Sequence, residues 1–225
     1  MHRTGSLSVP TQQENDRVTK KPAIHLHHGD LPSGLSFGDS VAVDSETMGL
    51  RVRRDRLCLV QLRGRDGDVH LVKFERGQYD APNLKALMED RSVLKIFHFA
   101  RFDVAAFRAW LGADTGPIFC TKIASKLTRT YTDRHGLKDC CRELLQVDLS
   151  KEQQSSDWGA PDLSEAQKGY AASDVLHLHA LMDIFNSRLE REDRREIAEA
   201  CFGFLPTRAE LDLLSYEDTD IFAHS

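Results

Sequence analysis

The chain has 225 residues, with 30 Lys and Arg against 35 Asp and Glu for a net charge of −5, and is 40% hydrophobic and 29% charged. That composition describes a globular protein of ordinary domain size, long enough to bury a core, and excludes one that coats long nucleic acid by bulk attraction. No apolar run approaches the about 18 residues of a membrane span and no signal-peptide core opens the chain, so the expected compartment is the cytoplasm.

Residues 1–22 are polar and unpatterned and read as a disordered leader, which leaves 23–225 as a single domain with a helical C-terminal part. Ile24 to Leu31 reads as an edge strand. Ser40 to Glu46, opened by Val41-Ala42-Val43, is a buried strand; Leu57 to Leu62 is a second, and Val69 to Phe74 alternates as a third. Joined by short links with no helix between, these three form an antiparallel meander. Asn83 to Glu89 reads as a helix, Leu94 to Phe99 as a strand, Phe102 to Leu111 as a helix and Ile118 to Cys120 as a last short strand. Beyond Thr121 the pattern is helical: about Lys122 to Thr130, Leu137 to Leu145, and one long helix from Ser164 to Glu192 opened by a Ser164/Gln167 capping box. Ala200 to Ser225 is expected to pack on the body or on a neighbouring subunit. The order describes an α/β fold with a mixed central sheet flanked by helices. The five cysteines form no C-x-x-C pair and read as reduced thiols.

Three segments carry chemistry. Asp44 and Glu46 stand at i, i+2 on a strand and project to one face, where two like charges are tolerated cheaply with a cation between them; their oxygens suit Mg²⁺ or Mn²⁺. Asp103 sits in the first turn of a helix just beyond a later strand. Tyr170 and Asp174 are i, i+4 on a late helix and face the same way. Each element has a bland reading as a solvated acid, a helix-dipole partner or a chance spacing.

Taken in order, Asp-x-Glu at a strand end, Asp opening a helix and Tyr-x-x-x-Asp on a late helix resemble the DEDD superfamily of 3′→5′ exonucleases, in its tyrosine form, since Gly169 stands where the alternative histidine would. Gln154-Ser155-Ser156-Asp157-Trp158 is similar to the matching stretch of ribonuclease D. The nearer resemblance is to the bacterial nanoRNase C family of diribonucleases, through Asp55-Arg56-Leu57-Cys58, Lys95-Ile96-Phe97-His98-Phe99, the stretch from Cys120 to Leu137 and the closing Asp220-Ile221-Phe222-Ala223-His224-Ser225.

The resemblance implies a ribonuclease H-like, DnaQ-like exonuclease fold. It implies a metal-dependent 3′→5′ exoribonuclease that hydrolyses 5′-phosphorylated dinucleotides to mononucleotides, with Asp44, Glu46, Asp103 and Asp174 holding two divalent cations and Tyr170 orienting the attacking water. It also implies a homo-oligomeric ring, an octamer in that family, with no membrane and no stable DNA partner. Several residues keep two readings. Leu50 resembles the apolar wedge between two bases in related nucleases, or is an ordinary core leucine. Phe99 and Phe102 stack a base or fill the core; His98 meets substrate or satisfies backbone groups; Trp158 lines the pocket or packs under it. The cations Lys122, Lys126, Arg129 and Arg134 face solvent or bind a terminal 5′ phosphate. Rival readings are a broader ribonuclease D-like enzyme trimming longer RNA, a catalytically dead RNA-binding module, and DNA proofreading.

Overall fold

A computed structural model describes residues 22–150 and 152–224; all but the last residue of the expected leader lies outside them. Val41, Ala42 and Val43 are wholly buried, which places β2 (Ser40–Thr47) at the centre of a six-stranded sheet. The sheet also contains β1 (Ile24–His28), β3 (Leu57–Gly64), β4 (Val69–Lys73), β5 (Leu94–Phe97) and β6 (Ile118–Cys120), in the order β1-β4-β3-β2-β5-β6. The meander expected from the short links is present: β2 pairs antiparallel with β3, and β3 with β4. β1 joins β4 in parallel, while β5 and β6 extend the other side in parallel with β2. This mixed sheet with flanking helices matches the expected fold class.

Direction matters more than strand count here. Because β2, β5 and β6 run the same way, their C-terminal ends open at one edge. The helices that follow β5 and β6, α2 (Ala100–Leu111) and α3 (Thr121–Thr128), start from that edge. Ligand sites in open α/β sheets gather outside such strand ends. The remaining helices are α1 (Pro82–Glu89), α4 (Leu137–Leu145), α5 (Glu165–Leu176), α6 (Leu178–Arg191) and α7 (Arg195–Leu213), and α5 lies against β2, β3 and β4. Its expected capping box is present, with Ser164 Oγ accepting from the Gln167 amide at 3.2 Å.

Besides shifts of one or two residues at element ends, the structure differs from the expectations in four places. The first strand ends at His28, not Leu31. The strand from Leu94 ends at Phe97, because Phe99 takes a left-handed conformation (φ 74°, ψ 44°) and caps α2. The long helix breaks at His177 (φ −110°, ψ −1°) into α5 and α6. Arg63 Nη1 reaches across and donates to the Leu176 carbonyl at 3.3 Å, satisfying an acceptor at the break. Finally, α7 extends over a region expected only to pack somewhere; it buries Ala198, Phe202, Leu205 and Ala209 and lies along α2.

Candidate active site

At the open edge, the acids of β2 meet those of two helices. Oxygens of Asp44, Glu46 and Asp174 all lie within 4.8 Å of one another. Asp103 stands outside this tight set but beside it. Ser45, which leaves β2 on the face opposite its acidic neighbours, donates to Asp103 Oδ1 at 2.6 Å, and only 3% of Asp103 is exposed. Strand alternation therefore arranges the motif: Asp44 and Glu46 face α5, while Ser45 holds the acid of α2.

Burial raises the pKa of every one of these acids. Asp44 is pushed well up by burial and then by the charges of Asp103, Asp174 and Glu46. Glu46 is raised to about 9 by burial, with Asp174 and Asp103 adding repulsion. Asp103 and Asp174 are each raised to about 7, again chiefly by burial. Such a group of acids holds protons at neutral pH unless a cation replaces them. An all-carboxylate donor set of this spacing fits a hard divalent ion.

Asp44, Glu46 and Asp174 line a cleft of about 630 Å³ that also has Leu50, His98, Phe102, Lys122, Trp158 and Tyr170 in its walls. Burial, and next the charge of Asp174, raises the Tyr170 phenol far above its ordinary value, so it stays protonated. Leu50 is 87% exposed, which excludes its core reading. Its loop is built around the buried Asp55, which accepts from the Arg51 amide at 2.9 Å. Gly49 is required beside it, since a Cβ there would lie 2.4 Å from Asp55 Oδ2. Trp158 combines both of its readings, being a buried cleft wall that packs on Tyr170 with ring centroids 6.0 Å apart. His98 Nδ1 lies 2.8 Å from Thr121 Oγ1, and burial lowers its pKa to about 3, so it is neutral.

Four of the residues considered for substrate contact lie elsewhere. Phe99 turns away from the cleft into an apolar groove beside α7, with Lys122 Nζ 4.2 Å above its ring. Lys126 lines that same groove. Arg129 is 1% exposed and spent internally: its Nη2 donates to Glu143 at 2.5 Å and its Nη1 to the Arg134 carbonyl at 2.6 Å. Arg134 is exposed outside the cleft. The cations that do line the cleft are Lys122 and Lys138, the latter with Gly136 and Leu137 at the N-terminal end of α4. Lys138 belongs to the same basic run, and spacing alone does not tell which lysine of such a run turns inward.

Comparison with known proteins places this geometry in a family. Residues 29–190 match the family model described as 3′-5′ exonuclease. Ribonuclease D of Gluconacetobacter diazotrophicus is 36% identical over 154 residues, 68% of this chain but 39% of that protein, so the chain spans about two fifths of this relative. The structure of Brucella melitensis NrnC with bound Mg²⁺ is 56% identical, with a TM-score of 0.87, covering 90% of this chain and 100% of that one. NrnC of the same organism bound to pGG is likewise 56% identical, with a TM-score of 0.88 and coverage of 91% and 100%.

Proposed function

The chain belongs to the 3′-5′ exonuclease family, and from that premise we propose that it removes nucleotides from the 3′ end of very short RNA, with 5′-phosphorylated dinucleotides as its substrate. The observation that carries this reading is the convergence of the Asp44, Glu46 and Asp174 oxygens within 4.8 Å in a cleft edged by Lys122 and Lys138. The pGG-bound NrnC relative supports the dinucleotide.

Asp44, Glu46 and Asp174, with Asp103 beside them, would hold two Mg²⁺ or Mn²⁺ ions. When bound, such ions supply a nucleophile at neutral pH and neutralise charge on the leaving oxygen. The protonated phenol of Tyr170 orients the attacking water by hydrogen bond and does not take its proton. Ser45 orients Asp103 by donating to it, and that hydrogen bond favours the ionised carboxylate against the burial that raises its pKa. Leu50, fully projected from a loop anchored on Asp55, wedges between the two bases, and Phe102 and Trp158 complete the apolar wall. Lys122, Lys138 and the N-terminal amides of α4 receive the 5′ phosphate, which limits how far a substrate extends.

Self-association belongs to the same reading. Phe99, Ile197, Phe204 and Phe222 are exposed around the groove between α3 and α7, with Phe222 78% exposed, and this apolar face is the one we assign to contacts between copies in a homo-oligomeric ring. Light scattering of the intact chain measures the oligomeric state.

A time course on 5′-phosphorylated RNAs from two to ten nucleotides, with Mg²⁺, Mn²⁺ or chelator, tests the function. A sharp fall beyond two nucleotides is expected. Even rates across lengths would favour ribonuclease D-like trimming of longer RNA, and no metal-dependent hydrolysis at any length would overturn the reading.

A further inference from the structure

We propose that a second cavity, walled by Met48, Arg54, Arg56, Arg76, Tyr79 and Trp110, binds a nucleoside 5′-monophosphate. Its volume, about 430 Å³, falls within the range of small-ligand sites.

The charge of the cavity is local and strong. Its walls take Arg54 and Arg56 from the run Arg51-Val52-Arg53-Arg54-Asp55-Arg56, in a chain whose net charge is −5; Arg51 and Arg53 of that run lie outside the walls. The turn after β4 adds Arg76 from the other side. Arg56 is fixed at the base, its Nη1 donating to the Phe74 carbonyl and its Nη2 to the Gly159 carbonyl, both at 3.2 Å. Arg54 commits its Nε and Nη2 to Asp55 at 2.6 and 2.9 Å, which leaves Nη1 for another acceptor. Arg76 is exposed, and the adjacent Glu75 is taken by Lys73 at 3.1 Å, so Arg76 has no ion-pair partner among the described residues.

Two aromatic rings complete the wall. Tyr79 and Trp110 pack with centroids 5.1 Å apart. Their polar atoms are already satisfied by backbone: the Tyr79 hydroxyl donates to the Leu57 carbonyl at 3.1 Å, and the Trp110 indole N–H to the Val52 carbonyl at 2.9 Å. What the rings offer a ligand is therefore apolar π surface held in place. Guanidinium groups beside a fixed aromatic surface complement a planar base joined to a phosphate dianion.

Position says which nucleotide. Met48 lines both this cavity and the catalytic cleft. The partition is tight, since a Cβ on Gly159 would lie 2.6 Å from Met48 Sδ and 2.8 Å from Arg56 Nη2. A mononucleotide released in the cleft is thus one side chain away from the arginines. The choice of a 5′-monophosphate rests on the proposed hydrolysis, which releases one.

The test is calorimetric titration of the intact chain with AMP in excess chelator, so that metal-dependent binding in the cleft does not contribute, beside titrations with adenosine and with Arg76→Ala and Trp110→Leu variants. Saturable AMP binding is expected, at least about tenfold weaker for adenosine and for Arg76→Ala, with a loss also in Trp110→Leu. Arg76 is exposed, so its replacement leaves folding intact. Absence of AMP binding in chelator, equal binding of adenosine, or an undiminished Arg76→Ala overturns the proposal. None of these outcomes depends on hydrolysis, so failure of the second site and failure of the nuclease reading are read separately.

Discussion

The floor of the cleft and its walls are made differently. The floor is regular structure: β2 supplies Asp44 and Glu46 by strand alternation, the first turn of α2 supplies Asp103, and α5 supplies Tyr170 and Asp174 one turn apart. The walls are loops and helix ends, with Leu50 on an Asp55-anchored loop, Trp158 in a turn and Lys138 at the start of α4. Periodic elements place side chains to within a turn or a pleat, whereas a loop places them through contacts made elsewhere in the chain. The floor accordingly sets the chemistry, and the walls set what reaches it. Variants in the two regions should differ in kind: floor changes should remove rate and leave selectivity, and wall changes should do the reverse.

Asp44→Asn carries the largest expected effect. Loss of one carboxylate from the cation site should lower dinucleotide hydrolysis on the order of a thousandfold, from several kcal/mol of lost charge stabilisation. Thermal melting in chelator should show a fold at least as stable as the parent, because the variant no longer buries an acid that must take up a proton against its ordinary pKa. Near-parental turnover in Mg²⁺ would mean the floor is not where the chemistry happens. Tyr170→Phe comes next, with an expected loss of about a hundredfold in kcat for a group that positions a proton-bearing water. Its Mg²⁺ affinity, measured by calorimetry, should stay with the parent; a large drop there would make the phenol part of the cation site.

The same floor predicts an unusual pH response. Glu46, raised to about 9, and Asp103 and Asp174, raised to about 7, hold protons in the folded chain that the unfolded chain has already released. Their contribution is full below the ordinary carboxylate range and is lost as pH rises through the raised values. Half-buried His98 and His70, lowered to about 3 and about 4, act in the opposite sense only below the ordinary histidine pKa of about 6.5. Lys95, lowered to about 8, opposes the trend only above that value. Between about pH 6.5 and 8, then, the metal-free chain should lose stability with rising pH, by up to about tenfold in the folding equilibrium per pH unit for each proton held. Saturating Mg²⁺ should flatten or reverse the slope. Melting temperatures in chelator that rise across this window would break the electrostatic account of the floor.

Legibility in the sequence follows the same division. The strand order of the meander, the i, i+2 acids, the α5 capping box and the pairing of Tyr170 with Asp174 on one helix are local patterns, and each has its counterpart in the structure. What stayed hidden depends on partners distant in sequence. Arg129 reads as a free cation in a basic run until Glu143, fourteen residues on, folds against it. The break at His177 is supported by Arg63 from β3, which nothing near residue 177 announces. α7 buries positions 198, 202, 205 and 209 at helical spacing, but two of them are alanines and Gly203 and Pro206 interrupt the run, so the stripe carries little contrast. Phe99 looks like a strand residue by type, and only its positive φ shows that the strand has already turned into the helix that carries Asp103.

The smallest effects belong to the wall, and Leu50 offers the sharpest test of it. Leu50→Ala removes a side chain that is 87% exposed, so stability should change by less than about 0.5 kcal/mol. If the leucine wedges between bases, kcat/KM for a 5′-phosphorylated dinucleotide should fall by several-fold to about tenfold, mainly in KM, from the loss of one apolar contact of about 1 kcal/mol. Gly49→Ala approaches the same loop from beneath. Its new Cβ would meet Asp55 Oδ2 at 2.4 Å and must displace the carboxylate that holds the Arg51 amide. That change should cost about 1–3 kcal/mol of stability and should reproduce the KM increase of Leu50→Ala without touching the leucine. The double variant should then be scarcely worse in KM than either single one, since both act through one side chain. Additive losses from the pair would show instead that the loop contributes to substrate binding through something other than the leucine at its tip.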